Sequence, residues 1–322
     1  MQMTYETLEY IEKPISRIIF GTAITAMRKG ETPFELLDAV YAAGITAFDT
    51  AVSYDDAEVS LGEWIHSRNL RSKVSVLTKG AHKNRWRGRM TPYDIQSDFE
   101  TSLAKLRLDY VEMYLIHRDD PAAPVGPVME TLNRFHKEGR IGAIGCSNWH
   151  WRRVEEANDY ARARGLIPFT IISPSFSLGV KYDEPEINGS TLTGEQNKQA
   201  REWVLQKKLP VFAYSSLARG FFSGRVVHDQ PEKAAEVLPP LTLREYAYPD
   251  NFERLRRCEI LAEQKGFTTT QIAYAWLFTQ PLNIFPITSP SSVKHLQEII
   301  AAMDIALSPR EAAWLNLECT EL

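Results

Sequence analysis

The feature that most constrains this chain is an alternation that runs nearly its whole length. Short stretches rich in Val, Ile, Phe and Tyr trade places with longer amphipathic segments. Such a pattern predicts βαβ units built around a parallel sheet. Eight stretches stand out, at residues 17–22, 47–49, 74–79, 110–117, 141–147, 169–173, 211–214 and 284–287. Several are almost continuously apolar, as Val-Glu-Met-Tyr-Leu-Ile at 111–116 is. Strands buried on both faces read this way.

The segments between them carry helix punctuation. Thr32 precedes Pro33 and Glu35, and Phe34, Leu37, Val40 and Tyr41 recur at helical spacing. A helix with Thr32 as its N-cap is expected there. Thr91-Pro92-Tyr93-Asp94 opens a second helix, with Ile95, Phe99, Leu103 and Leu106 as its core face. Ser308-Pro309-Arg310-Glu311 opens the last, and residues 268–279 set Ile272, Ala275, Trp276 and Leu277 on one side.

Eight strands alternating with helices predict an α/β fold, a (β/α)₈ TIM barrel forming one domain over residues 1–322. An open doubly wound sheet is the alternative. It usually shows G-x-G-x-x-G after its first strand, whereas Gly21-Thr22 is followed here by Ala23-Ile24-Thr25. Residues 4–14 read as a short N-terminal β-hairpin across the barrel floor. Residues 221–251, rich in Pro, Tyr and charge, read as a long loop on the C-terminal face, where barrels build their sites.

Composition narrows the class. A chain of 322 residues with 44% hydrophobic and 24% charged side chains buries a full core and is not a disordered polymer. A net charge of −4 and a pI near 6.0 point to no nucleic acid and no acidic membrane surface. The basic run at 83–89 reads as a solvated face, with an anionic ligand or a neighbouring subunit as the alternatives. Cys146, Cys258 and Cys319 have the spacing of neither a metal site nor a disulfide framework, so reduced thiols and no metal are expected. The N-terminus lacks a basic start followed by an apolar core, and no apolar run approaches a membrane span. The expectation is a cytoplasmic protein, monomer or homo-oligomer.

The chemistry gathers where the stretches end. The second ends at Asp49, with Tyr54 five residues on, the third at Lys79 and the fourth at His117. The C-terminal ends of barrel strands meet on one face, so these four side chains are expected to converge. Reducing a carbonyl needs a hydride on carbon and a proton on oxygen. Tyr54 suits the proton donor, and a Lys79 ammonium beside it favours the phenolate and strengthens the acid. Asp49 would hold Lys79 charged, and a neutral His117 would orient the carbonyl oxygen.

Phe48-Asp49-Thr50-Ala51-Val52-Ser53-Tyr54, then Lys79, then Leu115-Ile116-His117-Arg118, closely resembles the aldo-keto reductases. The resemblance covers nearly the whole chain. It implies a (β/α)₈ barrel, the catalytic tetrad Asp49, Tyr54, Lys79 and His117, and NADPH extended across the C-terminal face, acting on a small-molecule carbonyl substrate.

Cofactor positions are implied one by one. Gly21, Thr22 and Asp49 border the site. Ser147 and Asn148 in Gly145-Cys146-Ser147-Asn148 would hold the nicotinamide carboxamide, with Ser173 where the family usually has Gln. Tyr214 would stack on the nicotinamide. Ser215 and Leu217 would contact the pyrophosphate, Gly220 would let the backbone approach it, and Arg225 would reach phosphate. Ser289, Ser291, His295 and Glu298 fall at the adenosine end. There His295 replaces the Arg or Gln of many members, and Ile299 replaces the usual Asn. These departures leave NADH open beside NADPH, since a neutral imidazole is a weaker phosphate partner than Arg.

The substrate pocket is expected between Tyr54, Trp86, Tyr114, His117, Trp149 and the segment 221–250. An alternative within the same fold is an NADPH-binding regulatory protein resembling the potassium-channel β subunits, with little turnover.

Overall fold

The computed structural model describes residues 3–182 and 191–322. Strands β1 (Tyr5–Glu6) and β2 (Ile15–Ser16) pair antiparallel as a small hairpin. Strands β3 (Ile19–Gly21), β4 (Ala47–Asp49), β5 (Ser75–Gly80), β6 (Val111–Ile116), β7 (Ile141–Ser147), β8 (Ile171–Ser173), β9 (Val211–Ala213) and β10 (Ile284–Thr288) follow. These eight are parallel and close into a barrel, with β10 returning to β3. Each coincides with one of the stretches read from sequence, with ends that differ by a residue or a few. The neighbours β8 and β9 share one register pair, Ile172 opposite Val211. The Ser173 hydroxyl adds a side-chain bond there, donating to the Phe212 carbonyl at 2.9 Å.

Helices fill the connections: α1 (Thr25–Arg28), α2 (Phe34–Ala42), α3 (Ala57–Ser67), α4 (Pro92–Leu106), α5 (Val125–Lys137), α6 (Trp151–Ala163) and α7 (Lys198–Lys207). After β9 come α8 (Ala234–Val237), α9 (Pro240–Tyr246), α10 (Pro249–Lys265) and α11 (Thr269–Phe278), and after β10 come α12 (Val293–Ala301) and α13 (Pro309–Leu315). The expected caps at Thr91 and Ser308 accept hydrogen bonds from Asp94 N and Glu311 N, each at 3.2 Å. Ser308 and Thr268 each complete a reciprocal capping box, with Glu311 and Gln271. Thr32 is a correction. Helix α2 starts at Phe34 after an uncapped Pro33, and the Thr32 hydroxyl donates to Glu63 instead.

Period two decides what each strand presents. Ile19, Ala47, Leu77, Met113, Leu115, Ala143, Ile171, Phe212, Phe285 and Ile287 point inward and fill the barrel. Their neighbours Phe20, Phe48, Val76, Tyr114 and Ile144 point outward against the helices. Leu8, Ile11 and Ile15 of the hairpin join the inner cluster, all under a tenth exposed, so the hairpin plugs the interior from the floor as expected. Residues 221–251 are a second correction. They are not one long loop but a 3₁₀ turn, α8, α9 and the start of α10. Phe221, Phe222, Tyr246 and Asn251 are fully buried. The Asn251 amide bonds both backbone groups of Val180, at 2.7 and 2.9 Å, which ties this segment to the chain beyond β8.

Candidate active site

The inward parity that fills the barrel also builds its mouth. Two residues beyond an inward-facing position, each strand or its exit places another inward residue. These are Gly21, Asp49, Lys79, His117, Ser147, Ser173, Tyr214 and Ser289, and all eight line one cleft of about 520 Å³. Register sets their heights. Asp49 stands opposite Leu77, so Lys79 rises two residues above it, and Lys79 stands opposite Leu115, so His117 rises two more. That staircase lets the long Lys79 side chain reach down to Asp49.

Asp49, Lys79 and His117 are all buried. The Lys79 ammonium pairs with the Asp49 carboxylate and donates to the Thr50 carbonyl at 2.9 Å. It lies 5.1 Å from the centroid of the Tyr54 ring. Tyr54 sits on the turn after β4, where Val52 N bonds the Lys79 carbonyl at 3.1 Å and Tyr54 N bonds the Ala51 carbonyl at 2.9 Å. The loop is thus laid across the top of β5. The Tyr54 and His117 rings meet edge to face, 5.6 Å apart. The Ser53 hydroxyl lies 3.2 Å from His117 Nδ1.

Burial governs the charges. It works against the Lys79 ammonium, but Asp49 and then Tyr54 more than offset it, so Lys79 stays protonated with a pKa above the ordinary lysine value. Burial also pushes the Tyr54 phenol up, and this outweighs the pull of Lys79, so Tyr54 firmly keeps its proton. The lowering expected from Lys79 alone is therefore overridden, first by burial and then by the charge of Asp49. Burial, then the charge of Lys79, holds His117 well below its ordinary range, which keeps the imidazole neutral.

A second cavity of about 730 Å³ continues the cleft, sharing Ala23, Ser215, Arg219, Ile287 and Ser289 with it. Its walls carry Leu217, Gly220, Arg225, Ser291, His295 and Glu298. An extended dinucleotide fits this double trough. Gly220 has φ +89°, and a Cβ there would come within 2.5 Å of the Arg225 guanidinium. A Cβ on Gly21 would come within 2.7 Å of Ser289 Oγ, at the junction of the two cavities. At the inner end Tyr214 donates to Asn148 Oδ1 at 2.6 Å, and Asn148 Nδ2 bonds the His117 carbonyl at 3.0 Å. The Ser147 hydroxyl donates to the Ser173 carbonyl at 2.7 Å. At the outer end Ser291 Oγ lies 3.1 Å from His295 Nδ1, and Glu298 accepts from Thr268.

Four expected contacts lie elsewhere. Thr22 is fully buried beneath the cleft, where its N–H holds the Asp49 carbonyl at 2.9 Å. Trp86 is 75% exposed and stacks under Arg85, because Arg87 and Arg89 clamp its loop onto Asp94 and Asp98 of α4. The basic run is thus spent largely on this clamp. Tyr114 has outward parity and packs on Phe99, at 4.9 Å. Trp149 follows Asn148, whose φ of +59° turns the chain away, and it packs edge-on to Phe169 behind the barrel wall. Residues not foreseen at the cleft are Arg28, Ser53, His82, Arg118 and Arg219. Ser53 and Arg118 lie within the quoted motifs, Arg28 ends the one-turn helix α1, Arg219 sits in a 3₁₀ turn and His82 in the loop after β5.

A parallel eight-stranded barrel with its polar groups gathered at the C-terminal mouth is an enzyme architecture. The Aldo/keto reductase family matches residues 17–316, and the chain belongs to that family of oxidoreductases. It is 26% identical to a probable aryl-alcohol dehydrogenase of Saccharomyces cerevisiae, over 89% of this chain and 87% of that one. It is 28% identical to the norsolorinic acid reductase of Emericella nidulans, over 87% and 70%. An aryl-alcohol dehydrogenase of Phanerodontia chrysosporium named for NADP(+) is 27% identical over 89% and 75%. Among the described residues no helix is long and apolar enough to cross a membrane, and no group of three or more His, Cys, Asp or Glu is placed to hold a metal. The three cysteines are free.

Proposed function

We propose that this chain reduces an aldehyde or ketone to the alcohol with NADPH, Tyr54 giving the proton. The observation that carries this reading is the convergence of Tyr54, Lys79, Asp49 and His117 on one cleft, with Tyr54 protonated, Lys79 charged and His117 neutral. When bound, the nicotinamide supplies the hydride. Tyr54 holds a proton at Oη for the carbonyl oxygen. Lys79, kept charged by Asp49, stabilises the phenolate that this transfer leaves. Ser53 Oγ lies within hydrogen-bond reach of Nδ1, and in the tautomer where the hydroxyl donates there the His117 proton is on Nε2 and bonds the carbonyl oxygen. Ser147, Asn148, Ser173 and Tyr214 would hold the nicotinamide end, and Ser215, Leu217, Gly220 and Arg225 the pyrophosphate. Ser289, Ser291, His295 and Glu298 would hold the adenosine end, and relatives named for NADP(+) support the phosphorylated form.

The test is a panel of aldehydes and ketones followed by NADPH absorbance, with NADH in parallel. Tyr54→Phe is expected to lower kcat by at least about 100-fold while NADPH binding stays nearly intact. Wild-type rates in that variant on every accepted substrate would remove Tyr54 from the mechanism.

A further inference from the structure

We propose that His82 binds the substrate directly, its Nε2 accepting a hydrogen bond from a hydroxyl on the carbon beside the carbonyl. The inference rests on the reductase reading and adds to it a specificity residue and a substrate class, the α-hydroxy ketones and aldehydes.

The backbone brings a second imidazole to the reacting position. β5 ends at Gly80, and Ala81 turns the chain with a φ of +61°, a left-handed conformation that a residue with a Cβ seldom adopts. Ala81 N is held there by the buried Asp98 at 2.8 Å. The Gly80 carbonyl accepts from His117 N, also at 2.8 Å, so the exits of β5 and β6 are tied together. His82 follows this turn and lines the cleft. Its ring meets the His117 ring edge to face, with centroids 4.9 Å apart and planes at 81°.

Hydrogen bonding sets what each imidazole offers. His82 Nδ1 lies 2.8 Å from the Lys83 carbonyl, and a carbonyl only accepts, so Nδ1 carries the hydrogen. In the neutral ring Nε2 is then an acceptor, and among the described residues no group bonds it. His117 is the opposite case. Ser53 Oγ stands 3.2 Å from its Nδ1, and in the tautomer where that hydroxyl donates, His117 Nε2 is a donor. The two rings thus set one donor beside one acceptor. A carbonyl oxygen satisfies the donor, and a hydroxyl one carbon away satisfies the acceptor. A methyl group in place of that hydroxyl would cover Nε2 without bonding it, and a site with an unpaired polar group rejects such an analogue. Adding hydride to the carbonyl carbon and the Tyr54 proton to its oxygen turns such a substrate into a vicinal diol, with NADPH oxidised to NADP+.

Two isosteric pairs test this at alkaline pH, where imidazoles are neutral: 2-hydroxyacetophenone against propiophenone, and glycolaldehyde against propanal. In at least one pair the ratio of kcat/KM, hydroxylated over methylated, is expected to fall about tenfold in His82→Phe, which keeps an aromatic ring against His117. The hydroxyl also activates the carbonyl by withdrawing electrons, but equally in both proteins, so the change in ratio isolates the contact. His82→Gln, whose amide oxygen can accept, should recover part of the loss. If His82 only props His117, His82→Phe slows both members alike and leaves the ratio unchanged in both pairs, which overturns the proposal. Reduction of other carbonyl compounds but of neither hydroxylated member overturns it too. If no carbonyl compound is reduced at all, the reductase reading fails. The contact is then judged by calorimetric titration of the two ketones, where tighter binding of 2-hydroxyacetophenone, lost in His82→Phe, supports it and equal or absent binding ends it.

Discussion

His117 is the residue whose charge matters most to the chemistry proposed. A neutral imidazole can donate one hydrogen bond to a carbonyl oxygen, whereas a protonated one beside Lys79 would add a second buried cation. Burial and the neighbouring charge of Lys79 keep its pKa well below the ordinary value. The sign follows from linkage. His117 stays neutral in the folded protein after the unfolded chain has begun to take up a proton. Its contribution to stability is therefore complete above about pH 6.5 and declines as the pH falls below that. The catalytic corollary is a kcat/KM with no acid limb near about pH 6.5, read from a pH profile with one accepted aldehyde. An acid limb there that vanishes in His117→Gln would show the imidazole titrating normally. All eight mouth positions named above were legible in the sequence, Asp49, Lys79 and His117 from the ends of their strand runs and the other five from the family resemblance. Tyr114 was open to a test by alternation: Met113 and Leu115 face inward, so it faces out. Trp149 escaped it because the left-handed turn at Asn148 breaks the period. Arg28 and His82 were not legible, since a four-residue helix and a loop carry no periodicity that fixes their direction.

At the scale of elements, the connection from β5 to α4 shows how a charged loop is made to stand still. Arg87 pairs with Asp94 in the first turn of α4, and Arg89 bridges Asp94 and Asp98. Asp98 also accepts from Ala81 N at 2.8 Å, next to the Lys79 strand end. The Arg87 guanidinium, joined by the Thr91 hydroxyl, holds the Asp94 carboxyl down at about 2, against burial that pushes it up. A depressed carboxyl contributes stability above its unfolded pKa and loses it as the pH falls through the folded one. The clamp is therefore complete above about pH 4 and released on approach to pH 2. Asp94→Asn should reproduce the release at neutral pH. It is expected to cost about 1–2 kcal/mol, a figure reduced for the exposure of Arg87, and to speed tryptic cleavage after Lys83 and Arg85. Unchanged cleavage would mean the loop is held by other contacts. This pairing was not legible in the sequence, since a run of arginines reads as a solvated face until the facing acids are known.

For the whole molecule, the consequence worth drawing is mechanical. A closed sheet is a hoop with no free end, and a hoop gives way at its thinnest link. Here that link is β8–β9, with one register pair between the strands, a serine hydroxyl beside it and a bridge from Ser175 to Tyr214 beyond their ends. Native-state hydrogen exchange should find the amides of Ile172 and Tyr214, which bond the Pro210 and Pro174 carbonyls across this link, opening before those between β5 and β6. Ser173→Ala should hasten them further, and equal protection around the ring would disprove it. Ser173 and Tyr214 also stand where the nicotinamide end is proposed to lie. A ligand seated there would fasten the two posts of the gap, so that filling the site and tightening the hoop become one event.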